Sequence, residues 1–133
     1  MNEAMKGKFE LSIPIDHTIQ AELLLLLGQQ SSHGYELIQR LNEAKFKSGE
    51  ADPATVYRNL RRMDKDGLIK SHWEVGASGP GRRLYELTPQ GLEALKVWAN
   101  YLAKQKATLE NFLSTYFQFE QSLSEVEEGG NKQ

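Results

Sequence analysis

Asp52-Pro53-Ala54-Thr55-Val56-Tyr57-Arg58-Asn59-Leu60-Arg61-Arg62-Met63-Asp64-Lys65-Asp66-Gly67-Leu68-Ile69 decides the fold of this 133-residue chain, because one short helix here carries two incompatible faces. Val56, Leu60 and Met63 recur at i, i+4 and i+7 and belong in a core, while Thr55, Arg58, Arg62 and Lys65 gather on the opposite side. Such a helix is anchored inward and cationic outward. Asp66-Gly67 ends it with a residue that tolerates the left-handed conformation, and Leu68-Ile69-Lys70-Ser71-His72-Trp73-Glu74 has the β-branched and aromatic content of a strand. Gly76-Ala77-Ser78-Gly79-Pro80-Gly81 can continue neither element, and Arg82-Arg83-Leu84-Tyr85-Glu86-Leu87 resumes a strand pattern. Helix, strand, glycine loop with a basic return, and strand together predict a winged helix-turn-helix. Its recognition helix suits the major groove and its wing the backbone or minor groove.

Working outward, charge supports that assignment. The chain carries a net charge of −2, yet the span from Asp52 to Arg83 holds seven basic residues against four acidic ones. The flanks are acidic, so positive potential is confined to the proposed reading head.

Upstream, Asp16 can cap a first helix from about His17 to Leu27, stopped at Gly28. The run Leu23-Leu24-Leu25-Leu26-Leu27 gives it apolar surface all round and the centre of the domain. A second helix is expected to start near Ser31 or Ser32, with Leu37, Ile38 and Leu41 facing inward, and Ala44 to Ala51 reads as a loop with a short strand at Lys45-Phe46-Lys47. Downstream, Thr88-Pro89 starts a helix, Thr as cap and Pro at the first position, where its missing donor costs nothing. From Leu92 an apolar seam with heptad spacing runs to Tyr116, interrupted at Lys106. A helix from Pro89 to Phe119 would span roughly 45 Å and outrun its own domain. The organisation expected is a flexible arm over 1–15, a winged helix-turn-helix domain over 16–88, a dimerisation helix over 89–119 and a disordered acidic tail over 120–133.

Composition removes whole classes of function. The chain has no cysteine, which leaves neither a disulfide framework nor a thiolate metal site, and its leucine run is far short of the roughly 20 apolar residues of a membrane span. Its N-terminus lacks the pattern of a signal peptide, so a cytoplasmic protein is expected. His17, His33 and His72 lie on three elements without metal-ligand spacing. Ser31-Ser32-His33 reads as a helix cap, with no acid placed to orient the imidazole. No enzyme, cofactor or metal is expected.

The chain resembles the PadR family of bacterial transcriptional regulators, in particular the small subgroup with one long C-terminal helix. The likeness covers about Leu23 to Phe119 and rests on His33-Gly34-Tyr35-Glu36-Leu37, on Thr55-Val56-Tyr57-Arg58-Asn59-Leu60 followed by Met63 to Ile69, and on Arg82-Arg83-Leu84-Tyr85-Glu86-Leu87-Thr88-Pro89-Gln90-Gly91. Within the family, His72-Trp73-Glu74 and the Gly-Pro before the basic pair are similar to repressors responsive to polyhydroxybutyrate granules. The resemblance implies a homodimeric repressor that binds an inverted-repeat operator and releases it when a small effector binds.

Thr55 and Arg58, near the start of the recognition helix, are the candidates for base edges. Arg61, Arg62, Lys65 and Tyr57 are candidates for phosphates. Of Arg82 and Arg83, one is expected on the DNA backbone or minor groove and the other paired with Glu74 or Glu86 across the hairpin. The dimer interface is expected along Leu95, Ala99, Leu102, Leu109 and Leu113. Trp98 beside that seam either packs at the interface or, as the matching tryptophan does in multidrug-responsive relatives, lines a cavity for an apolar or aromatic effector. Trp73, in a strand, is expected in the core. The rival reading is a protein-interaction adaptor that uses a winged fold without binding DNA.

Overall fold

The computed structural model describes residues 18–131 apart from 48, 77, 78 and 80, with side chains as far as residue 127. It is mainly helical with one three-stranded antiparallel sheet, as the sequence predicts. The chain divides into two compact units, one up to Leu95 and one from Lys96. The expected N-terminal arm, Asp16 and His17 lie outside the described residues.

Helix α1 runs Ile19–Gln29, and its Leu23, Leu24, Leu26 and Leu27 are buried while Leu25 is exposed. Gly28 does not stop it. The helix ends instead on a side chain from the next one: Arg40 donates to the carbonyl oxygens of Leu26 at 2.7 Å and Gln30 at 3.0 Å, and to Ser32 Oγ at 2.7 Å. A guanidinium that satisfies terminal carbonyls removes the need for a left-handed glycine there. Glu22, buried in α1, accepts from Thr18 Oγ1 at 2.6 Å and pairs with Lys47 at 3.5 Å, which ties the loop before the recognition helix to the core.

The second helix corrects the serine-cap expectation. Ser32–His33 forms a two-residue strand, β1, and α2 runs Gly34–Ala44. The backbone of both residues is engaged in the sheet, and Ser32 is buried among polar partners, so neither Ser31 nor Ser32 caps. The cap is His33, whose N–H donates to Glu36 Oε1 at 2.9 Å. Of the expected inward stripe Leu37 and Leu41 are buried and Ile38 is half-buried. Lys45-Phe46-Lys47 is not a strand: Lys45 turns left-handed at φ 55° to end α2.

Helix α3 runs Pro53–Lys65, and Val56, Leu60 and Met63 are fully buried beneath it. Asp52 caps it, with Oδ2 accepting from the Thr55 N–H at 3.2 Å. Gly67, at φ 81°, closes its end and turns the chain into β2, Ile69–Glu74. β2 pairs antiparallel with β3, Arg82–Leu87, from Ile69↔Leu87 to Glu74↔Arg82, and β3 in turn pairs β1 through Ser32↔Tyr85 and His33↔Leu84. Full burial of Leu23, Leu24, Leu37, Leu60, Met63 and Ile69 fuses the helices and the sheet root into one core. Each such side chain is worth about 1.5–3 kcal/mol in transfer from water.

Trp73 departs from expectation: it is 61% exposed. It shares a strand face with buried Ile69 and half-buried Ser71, and exposure on that face rises from the root of the strand to its end.

Thr88 joins the hairpin to α4. Its Oγ1 donates to the Gly67 carbonyl at 2.7 Å and accepts from the Gly91 N–H at 3.0 Å, and its N–H donates to the Leu68 carbonyl at 3.2 Å. Helix α4 spans Pro89–Asn131, 43 residues. This corrects the expected end at Phe119 and the disordered tail, within which only 132 and 133 lie outside the described residues. Phe119, Leu123 and Val126 continue the helical spacing, Tyr116 OH donates to Glu120 Oε2 one turn on at 2.8 Å, and the acidic residues between are good helix formers.

Candidate nucleic-acid interface

The amphipathic reading of α3 places its cations where a groove would meet them. Arg58, Arg61, Arg62 and Lys65 are all exposed, and no ion pair among the described residues engages them. Thr55 has a different place from the one expected. Its hydroxyl donates to Asp52 Oδ2 at 2.7 Å and accepts from Arg58 Nη2 at 3.1 Å, so it holds the arginine rather than standing clear to read a base. The hydroxyl and N–H of Thr55 hold the Asp52 carboxyl below the usual carboxylate range. Arg58 is therefore steered by an Asp52–Thr55 relay and keeps most of its five N–H donors.

Tyr57 points along α3 toward α2, where Gly34 makes room for it: a Cβ at Gly34 would sit 2.8 Å from the Tyr57 hydroxyl and 2.9 Å from its Cζ. Arg82 and Arg83 do not divide as expected, because among the described residues neither forms an ion pair with Glu74 or Glu86. Arg82 donates to the Tyr35 hydroxyl at 2.6 Å with its guanidinium 5.5 Å from that ring's centre. Arg83 donates to Ser71 Oγ at 2.9 Å and lies 5.3 Å from the Trp73 ring. Ser71 in turn donates to Asp64 of α3 at 2.5 Å, so the wing is braced against the recognition helix. Glu86 instead meets Lys70 at 3.7 Å.

Glu74 belongs to His33. The imidazole lies between two carboxylates, with Nδ1 2.5 Å from Glu36 Oε1 and Nε2 2.8 Å from Glu74 Oε1. This corrects the expectation that no acid orients it. The His33 N–H, then its ring, draw the Glu36 carboxyl below its usual range. The trio is a clamp that joins the start of α2 to the wing. A cleft of about 260 Å³ opens beside it, lined by Tyr35, Tyr57, Trp73, Arg82, Arg83 and Tyr85 among others. Burial pushes the Tyr85 phenol up. Sequence reading missed Tyr35, His33 and Trp73 as members of this surface. The usable signal was Gly34 between two ring-bearing residues, but nothing in one sequence places Tyr57 against it.

In the unit from Lys96, Ala99, Leu102, Leu109 and Leu113 are exposed, and Leu95 at the end of the other unit is half-buried. Trp98 is half-buried, edge-on to Tyr101 at 6.1 Å. Among the described residues no cluster of His, Asp and Glu has metal-binding geometry, and no helix is long and apolar enough to cross a membrane.

Three comparisons bear on this surface. A profile of the transcriptional regulator PadR-like family matches residues 23–97. A transcriptional regulator of Mycobacterium tuberculosis is 38% identical over 77 residues, which are 58% of this chain and 68% of that protein. Among solved structures, a PadR family regulator from Clostridium difficile superposes with a TM-score of 0.64 at 28% identity, over 72% of this chain and 98% of its own. A PadR-like regulator from Bacillus cereus does so with a TM-score of 0.63 at 27% identity, over 84% of this chain and 97% of its own.

Proposed function

The chain belongs to the PadR-like family of transcriptional regulators, which are not enzymes, and on that premise we propose that it is a cytoplasmic repressor that binds an inverted-repeat operator as a homodimer and releases it on binding a small effector. The observation that carries the reading is the outward face of α3, where Arg58, Arg61, Arg62 and Lys65 stand exposed with no ion-pair partner among the described residues, beside a wing bearing Arg82 and Arg83. Arg58, held by Thr55, is the base reader and can grip a guanine bidentately. Arg61, Arg62, Lys65, Tyr57 and the wing arginines take phosphates, which set position without specifying sequence.

Two recognition helices must lie roughly 34–36 Å apart to enter successive major grooves. Pairing of two copies along Leu95, Ala99, Leu102, Leu109 and Leu113 sets that separation. These apolar side chains repeat with heptad spacing and, from Ala99 on, lie exposed in one copy. An apolar or aromatic effector beside Trp98 then shifts operator affinity by a coupling of about 1–3 kcal/mol.

The test begins with the DNA fragments this protein retains from its own genome. Arg58→Ala should cost about 1–3 kcal/mol and relax preference at one operator position, whereas Arg62→Ala should weaken all sequences alike and flatten the salt dependence. Unchanged operator affinity in a folded Arg58, Arg62 double variant would overturn the assignment and favour the adaptor. Trp98→Ala should keep operator binding and lose the effector response; a normal response would leave Trp98 with packing alone.

A further inference from the structure

The apolar surface of α4 continues past the end of the proposed dimer seam, and it changes flank on the way. Leu102, Leu109, Tyr116 and Leu123 recur every seven residues and form one column along the helix. Ala99, Lys106 and Leu113 flank this column on one side and complete the dimer seam. The same flank continues as Glu120 and Glu127, so the first seam runs out of apolar side chains there. Phe112, Phe119 and Val126 take over on the other flank, one residue out of step and therefore about 100° round the helix from the first. A partner helix laid along the first flank leaves the second in water. Phe112 and Val126 are 67% and 70% exposed, and Tyr116, Phe119 and Leu123 are exposed as well. Phe112, Tyr116, Phe119, Leu123 and Val126 alternate spacings of 4 and 3 and so make a heptad seam of their own.

Charge selects the occupant. The stretch from Lys96 to Lys106 holds three lysines and no acid, whereas Ala107 to Glu127 holds Glu110, Glu120, Glu125 and Glu127 and no base. Two such helices laid parallel set acid against acid. Laid antiparallel, the acidic end of each lies along the basic start of the other, and the contact is isologous. The antiparallel register that aligns the second seam brings Phe112 against Leu123 and Tyr116 against Phe119, each twice by symmetry. It also sets Lys106 opposite Glu127 and Thr115 opposite Ser122, so no like charges oppose each other. Lys106 is available for this, since its pairing with Glu110 at 3.8 Å is between exposed side chains and weak. The Tyr116 hydroxyl donates to Glu120 at 2.8 Å and turns that carboxylate along its own helix. A second copy of the chain therefore supplies both the apolar layers and the opposite charge.

We propose that Phe112, Tyr116, Phe119 and Leu123 form a second self-association surface, along which two dimers join antiparallel into a tetramer through the distal halves of α4. The inference goes beyond the dimer reading but rests on it, because the first seam must already hold its own partner.

Sedimentation velocity on the full chain over a concentration series should show a dimer passing to a tetramer. Phe119→Glu combined with Leu123→Glu should leave a dimer throughout. Lys106→Glu should weaken the tetramer about tenfold, because it sets two acids opposite each other at both ends of the contact, and Glu127→Lys in that background should restore it. The chain has no cysteine, so engineered thiols report direction. A short bis-maleimide should join Thr115→Cys chains to Ser122→Cys chains far faster than either kind to itself. All the substituted side chains are exposed, and a native circular dichroism spectrum checks the fold of each variant. A wild type that stays dimeric at every concentration, or a tetramer that survives the Phe119, Leu123 substitutions, overturns the second surface and leaves the dimer intact. Failure of Glu127→Lys to rescue, or self-linking as fast as cross-linking, overturns the antiparallel contact. A Phe119, Leu123 variant that falls to monomer makes the distal seam the dimer interface and overturns the proposal. A monomeric wild type overturns the dimer reading with it.

Discussion

Gly91 gives the sharpest stability prediction, because the ordinary rule for a helical glycine reverses there. Gly91 lies in the first turn of α4, where alanine is normally preferred by about 1 kcal/mol. A Cβ at this position, however, would overlap the Leu68 carbonyl oxygen, and it would lie 2.6 Å from Leu87 Cδ1 and 3.0 Å from the Leu68 carbonyl carbon. Leu87 can rotate aside, but the Leu68 carbonyl is backbone at the root of β2 and accepts the Thr88 N–H at 3.2 Å. Relief therefore requires the start of α4 to withdraw from the sheet. That movement strains the Thr88 N–H bond and the 2.7 Å bond from Thr88 Oγ1 to the Gly67 carbonyl. Overpacking costs about 1–3 kcal/mol and each hydrogen bond about 1 kcal/mol, against the helix-propensity gain of about 1 kcal/mol. Gly91→Ala should then destabilise by about 2–3 kcal/mol. With an m-value of about 2 kcal/mol/M, the urea midpoint should fall by about 1 M or more. Gly76→Ala is the control: nothing lies within 4 Å of its Cβ, and its midpoint should stay put. A Gly91→Ala midpoint equal to or above that of the wild type would refute the close-packed junction between the hairpin and α4.

Arg40→Ala should cost about 1.5–3 kcal/mol by urea unfolding, since it strips the charged donor from the α1 carbonyls, and Arg40→Lys should recover only part because an ammonium cannot span the same acceptors. Acid should loosen the α2 start. Glu36 has a lowered carboxyl pKa in the fold, so its stabilising share is present above its usual value of 4.5 and is lost as pH falls below it, through the folded value. Glu36→Gln keeps the cap but should flatten that acid-limb loss in a pH series of unfolding midpoints. Removal of everything after Asn100 should give a monomer or an insoluble chain by light scattering, because it deletes Leu102, Leu109 and Leu113; a well-behaved dimer would move the interface to α1.

Much of this molecule was determined by local pattern. The spacing of Val56, Leu60 and Met63 against Arg58 and Arg62, Asp66-Gly67 as a stop, the strand pattern of β3 and Thr88-Pro89 as a start are all short-range signals, and the structure agrees with each. Propensity, periodicity and capping act within a few residues, so one sequence suffices to read them. Several of the departures come from partners distant in the chain. The α1 end depends on Arg40, and the start of α2 on strand pairing with Tyr85 and Leu84. The reading face shows the same division. Its cations follow from helical spacing, and the relay through Thr55 is local as well, spanning three residues to either side, but the seating of Arg82 on Tyr35 and the capture of Glu74 by His33 arise only when segments 41 to 47 residues apart are brought together. Side-chain direction within an element is a local property, whereas which charge meets which ring is decided by packing.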